Sequence, residues 1–140
     1  MPCLLRFSSF PTQYGNFGIN NSGSELLFRK RIIMELSRRK CVPCEGGVPP
    51  LKEDQIMEYL SVVNQGWVAK HNKKIEREFN FVNFKHTMDF VNKVADIAEE
   101  EGHHPDMHVS YGKVSIELWT HAIGGLSEND FILAAKIDKI

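Results

Sequence analysis

The chain has 140 residues, of which 42% are hydrophobic and 25% charged, with a formal net charge of −1. That length suits one domain with a real core, and the composition is that of an ordinary globular protein. With this near-neutral balance nothing points to nonspecific binding of nucleic acid or of a membrane surface. No apolar run approaches the length needed to span a bilayer, and three cysteines make no disulfide framework, so a reducing compartment is expected.

Residues 1–24 hold no Asp or Glu and only one basic residue, Arg6, among several Ser, Asn, Gly and Phe; Arg29, Lys30, Arg31, Arg38, Arg39 and Lys40 follow. An acid-poor, Ser-containing start with later basic residues points to an organelle transit peptide, the alternative being a poorly ordered tail without an address. Met34 is a second candidate start. The expected location is intracellular: mitochondrion or chloroplast with a transit peptide, cytoplasm without one. Residues 1–40 are therefore read as an extension, and 41–140 as the domain.

Cys41 and Cys44 open a turn-rich stretch through Gly46, Gly47, Pro49 and Pro50 that should hold no regular structure. A Cys-x-x-Cys pair supplies half of a tetrahedral zinc site or a redox dithiol. No second pair follows to complete a zinc site, so a loop packed against the domain is the simpler reading.

From about Leu51 the pattern becomes regular. Ile56, Met57, Tyr59, Leu60 and Val63 give a helical stripe ended by Asn64, Gln65 and Gly66. Residues 67–71 and 74–81 read as strands around a tight turn at Asn72 and Lys73. Ile75, Phe79 and Phe81 alternate onto one face, with Arg77 the exception. Phe84, Met88, Val91, Val94, Ala95 and Ala98, widened by Phe90 and Ile97, predict a helix over 84–101 that Gly102 stops. Residues 107–111 and 114–120 form a second hairpin around Gly112 and Lys113, with Val114, Ile116 and Leu118 inward. Ser127 caps a last helix carrying Phe131, Ile132, Ala135 and Ile137. The fold class is α+β, in the order αββαββα: a four-stranded antiparallel sheet with helices packed on one face.

Chemistry concentrates in residues 99–130. Three of the six histidines, His103, His104 and His121, stand at turn or strand-end positions there, where a rigid scaffold presents reactive groups. His103 and His104 are adjacent, so their side chains diverge and do different jobs; Pro105 holds His104 extended. Glu99, Glu100 and Glu101 end a helix where the macrodipole disfavours negative charge; Glu100 and Glu101 read as a solvated acidic face. Asp130, three residues after Ser127, fits the acidic position of a capping box and can also face a pocket. Trp119 is either core or pocket wall. Adjacent histidines rarely ligate one ion, and metal-type spacing is absent from the segment, so zinc is not expected. His71, His86 and His108 read as surface or sheet-edge residues.

Glu99, His103-His104-Pro105, Tyr111, His121 and Asp130 together resemble the signature of the pterin-4a-carbinolamine dehydratases. That signature runs from an acidic residue across three positions to His-His-Pro, an aromatic residue, a strand-end histidine and an Asp. The resemblance covers the chain from about Cys41 onward and is similar in fold. It implies dehydration of a 4a-hydroxytetrahydropterin to a quinonoid dihydropterin and water, in pterin cofactor recycling. It implies acid and base work for His103 and His121, substrate binding with a catalytic share for His104, and orientation of a histidine by Glu99. Pro105, Tyr111, Trp119, Thr120 and Asp130 are expected to bind substrate or support the site. No metal or organic cofactor and no direct nucleic-acid or membrane partner is expected; the partner is the pterin, in a homodimer or homotetramer. The alternative is a noncatalytic role on the same fold, as a transcription-factor dimerisation partner or a plastid factor for Rubisco assembly.

Overall fold

The computed structural model describes residues 23–43 and 47–140; residues 1–22 and Cys44, on which the targeting and dithiol readings depend, lie outside them. The elements run α1 (Gly23–Leu36), α2 (Glu53–Val62), β1 (Val68–Lys70), β2 (Lys74–Asn80), α3 (Phe84–Glu101), β3 (Asp106–Ser110), β4 (Lys113–Leu118) and α4 (Glu128–Ile137), with a 3₁₀ turn His121–Ile123 before α4. The expected αββαββα order is present with a further helix in front. Leu36 at the end of α1 is buried and Ile33 packs against the core, so this helix contributes apolar surface that its weak periodicity did not reveal.

Two antiparallel hairpins form one sheet in the order β1-β2-β4-β3, joined through the β2–β4 ladder. Strand alternation places Ile75, Val114, Ile116 and Leu118 in the core. The opposite face carries ion pairs, Lys74 with Glu117 and Lys113 with Glu78 among them. Arg77 breaks the apolar alternation because it has a partner: it pairs with Asp138 after α4 and lies over the Phe79 ring at 4.4 Å. The Trp67 indole N–H donates to the same carboxylate at 2.9 Å. The first turn sits one residue earlier than expected: His71 and Asn72 have positive φ of 53° and 55°, and Lys73 N–H closes it onto Lys70.

Two helical stripes differ from the sequence reading. Met57 is 61% exposed, and α2 instead presents Ile56 and Tyr59, whose ring stacks on Phe131 at 4.8 Å. In α3 the buried face runs Thr87, Phe90, Val94, Ala98 and Glu101, while Phe84 is exposed against Tyr111. Glu101 therefore belongs to the buried stripe, one turn beyond Ala98, and the solvated reading of that residue is corrected. Helix α4 is buried nearly all round, with Phe131, Ile132, Leu133, Ala134, Ala135 and Ile137 in the core. A helix apolar on every side is one enclosed by neighbours, and α1 and α3 flank it.

Candidate active site

The site forms where α3 ends, β3 begins, β4 ends and α4 begins. Asn83 caps the start of α3 through His86 N–H, and Gly102 ends it in the left-handed conformation, φ 62°. Glycine, without a Cβ, takes that conformation most readily. The His103 N–H then bonds Ala98 C=O at 3.2 Å, so the histidine leaves the helix in a fixed direction. Pro105 hands the chain to β3. On the other side, Thr120 and Gly125 bridge, with Thr120 N–H on Gly125 C=O at 2.8 Å, closing the loop that presents His121.

The adjacent histidines do diverge. His103 Nε2 lies 2.7 Å from Asp130 Oδ1, with the Asp130 side chain fully buried and that of His103 12% exposed. The second oxygen of Asp130 accepts from Thr120 Oγ1 at 2.9 Å and from Ser127 N–H at 2.8 Å. Thr120 and Ser127 hydroxyls are 2.7 Å apart. Asp130 thus closes the α4 capping box with one oxygen and holds an imidazole with the other. The capping-box reading of this residue describes its geometry, whereas Asp130 itself is fully buried and reaches the cleft only through His103.

His104 turns back to α3, its Nε2 2.7 Å from Glu99 Oε1, at an open position where the side chains are 61% and 78% exposed. His121 packs its ring 3.9 Å from that of Trp119. The Trp119 indole N–H donates to Asp106 Oδ2 at 2.8 Å, and His121 Nε2 lies 3.8 Å from the same oxygen. Each of the three histidines therefore faces a carboxylate from a different part of the chain.

Glu99, Glu100 and Glu101 all have partners, which offsets the helix-end cost. Lys40 pairs with exposed Glu100 at 3.1 Å. Glu101 accepts from Lys136 Nζ at 2.8 Å and from Cys41 N–H at 2.8 Å. Burial pushes the Glu101 carboxyl up, but the Lys136 hydrogen bond, the Cys41 N–H and the charges of Lys136 and Lys40 together hold it below the usual carboxylate value. Burial, reinforced by Glu101, pushes the Cys41 thiol up to about 12.

A cleft of about 400 Å³ joins these groups, lined by His103, His104, Pro105, Asp106, Thr120 and His121 on one side and by Cys41, Val42, Pro43 and Asn129 on another. That volume falls within the range of small-molecule sites. Tyr111 is not brought to it. The β3–β4 register puts Asp106 opposite Glu117 and Ser110 opposite Lys113, so Tyr111 stands at the far end of the hairpin, 71% exposed. Among the described residues, no three His, Cys, Asp or Glu side chains converge to hold a metal ion, and no helix is long and apolar enough to cross a membrane.

Sequence reasoning missed Asp106, Glu101 and Asn129. Asp106 stands immediately after the His-His-Pro run, a usable signal. Glu101 continues the α3 stripe at helical spacing. Asn129 has no local signal, because its partner Val42 is 87 residues away in the chain.

A family model described as pterin 4 alpha carbinolamine dehydratase matches residues 49–140. A protein of Alkaliphilus metalliredigens named "Putative pterin-4-alpha-carbinolamine dehydratase" is 50% identical over 104 residues, covering 74% of this chain and 94% of that protein. One of the same name from Nitrosomonas eutropha is 53% identical over 108 residues, covering 77% and 95%. The crystal structure of a transcriptional coactivator/pterin dehydratase from Brucella melitensis is similar with a TM-score of 0.61 and 31% identity, covering 64% of this chain and 96% of that one. The chain belongs to the pterin 4 alpha carbinolamine dehydratase family.

Proposed function

We propose that the chain dehydrates a 4a-hydroxytetrahydropterin to the quinonoid dihydropterin and water. In that reaction the C4a–O bond breaks, the leaving hydroxyl takes a proton, N5 loses one, and the C4a=N5 double bond forms. Imidazole suits both transfers because both of its protonation states are accessible near neutral pH. The observation that carries the reading is that three histidines line one cleft, each with a carboxylate within 4 Å of its ring nitrogen, and that the His103–Asp130 pair is withdrawn from solvent.

With Asp130 on Nε2, His103 keeps Nδ1 as the nitrogen that exchanges a proton, and a buried carboxylate steadies the imidazolium between transfers. His121, beside Trp119, supplies the second acid or base. His104, open to solvent and oriented by Glu99, binds substrate and shares in catalysis. Pro105, Trp119 and Thr120 support the site, and no cofactor takes part. Family membership supports the substrate class, and the similar Brucella melitensis protein is named both coactivator and dehydratase, which makes a second, noncatalytic role worth the same test. Homo-oligomerisation is part of the proposal: β1 and β3 are the edge strands of the described sheet, with unpaired backbone, and light scattering at the 16.0 kDa monomer mass rejects it.

The deciding experiment follows absorbance after adding freshly generated 4a-hydroxytetrahydropterin. His103→Ala and His121→Ala should each slow dehydration by about 10²- to 10⁴-fold, the scale of a lost acid or base. His104→Ala should raise KM more than it lowers kcat. Near wild-type turnover in both of the first two variants, or no turnover by the unaltered chain, rejects the mechanism.

A further inference from the structure

Residues 41–43 form a strap across the cleft, outside the 49–140 span matched by the family model. Its backbone is held by two side chains that neighbour the His103–Asp130 pair in sequence. Glu101, whose side chain is 1% exposed and which lies two residues before His103, accepts the Cys41 N–H at 2.8 Å. Asn129, immediately before Asp130 and 6% exposed, takes both polar groups of Val42. Its Oδ1 accepts the Val42 N–H at 3.0 Å, and its Nδ2 donates to the Val42 carbonyl at 2.6 Å. Strap and dyad are thereby anchored to the same two segments.

The chemistry the strap offers a ligand follows from these bonds. The N–H groups of Cys41 and Val42 are both taken, and Pro43 has none, so the strap has no backbone donor for a substrate. What it offers the cleft is the isopropyl group of Val42, 58% exposed, and the Pro43 ring, while the Cys41 thiol packs against the core and donates to the Asn129 carbonyl at 3.7 Å. An apolar surface of this kind matches the face of a flat heteroaromatic ring rather than its hydrogen-bonding edge.

We propose that residues 41–43 are the apolar wall of the substrate cleft, held in register with His103 by Glu101 and Asn129, and that this wall packs against the ring face of the pterin. The proposal rests on the cleft being the substrate site. Glu101 and Asn129 are positioning residues that act on binding through the strap.

The test combines steady-state kinetics with calorimetric binding of an unreactive oxidised pterin to the full chain. Trimming the wall with the double variant Val42→Ala, Pro43→Ala removes exposed apolar atoms and no core. It should raise KM and the Kd of the oxidised pterin about tenfold, the scale of a few lost apolar contacts, with kcat within about twofold, as for a purely binding interaction. Asn129→Ala should move both constants in the same direction while circular dichroism shows it folded. Unchanged KM and Kd in the double variant overturn the wall, as does a fall in kcat at constant KM. If the unaltered chain binds the oxidised pterin but does not turn over substrate, the dehydratase reading fails while a tenfold loss of binding still supports the wall. Should it neither bind nor turn over, both fall.

Discussion

Replacing Asp130 by Asn tests the link between the capping box and the chemistry, because the two side chains have the same shape. One oxygen of Asp130 must accept from Ser127 N–H at 2.8 Å and Thr120 Oγ1 at 2.9 Å. The introduced amide therefore has one sensible orientation, carbonyl toward those donors and NH₂ toward His103 Nε2, where a carboxylate oxygen stood at 2.7 Å. A donor there forces His103 to place its proton on Nδ1 and leaves an imidazolium with N–H against N–H in a desolvated spot. The nitrogen that exchanges protons is then blocked. Turnover should fall by about 10²- to 10⁴-fold, equivalent to about 3–5 kcal/mol of barrier. The fold should suffer little, since the capping interaction survives: about 1 kcal/mol is lost with the charge on one hydrogen bond, or roughly 3–6 °C in Tm for a chain of this size. Ser127→Ala is the matched control. It removes the hydroxyl contacts with Thr120 at 2.7 Å and with Asp130 Oδ2 at 3.5 Å and weakens the cap by about 1 kcal/mol, yet leaves Asp130 Oδ1 paired with His103. Stopped-flow turnover and thermal melts should give two variants of similar Tm whose rates differ by at least about a hundredfold. Asp130→Asn within about threefold of wild type, or Ser127→Ala falling equally far, would refute the assignment of Asp130 to the chemistry.

Three further outcomes are expected. Glu101 is held below the usual carboxylate value in the fold, so its stabilising share is complete above the unfolded value and is lost as pH falls through the lower folded one. Thermal midpoints of the wild type and Glu101→Gln should accordingly differ most near neutrality and converge in acid; a constant gap across that range contradicts the ion-pair account. Leu36→Ala should lower stability by about 2–4 kcal/mol in urea unfolding, because Leu36 is 5% exposed in the core; a change under about 0.5 kcal/mol, typical of a surface site, would separate α1 from the folded unit. Extensive chelation should leave turnover unchanged, whereas loss of activity restored by one zinc per chain would replace proton transfer with metal chemistry.

Local patterns determined much of this protein. Period-two runs such as Val114, Ile116 and Leu118, the helical recurrence from Val91 to Ala98, the stop at Gly102 and the capping pair Ser127 and Asp130 each act within a few residues. Secondary structure, hairpin pairing and the α+β class follow from them. The histidine doublet before Pro105 was equally legible, because the grouping of those side chains is itself local. Tertiary structure decided which carboxylate meets which aromatic ring: Asp130 reaches the His103 imidazole across 27 residues, and Asp106 meets both the His121 imidazole and the Trp119 indole. It also decided that Glu101 is buried, that Arg77 is tolerated at an inward position, and that Tyr111 stands away from the cleft. Burying a charge costs free energy unless a partner arrives from elsewhere in the chain. Lys136 for Glu101 and Asp138 for Arg77 are such partners, and nothing in a local window announces them. The strap was hidden for the same reason, since Asn129 and Val42 meet only because packing brings the start of α4 against residues 41–43.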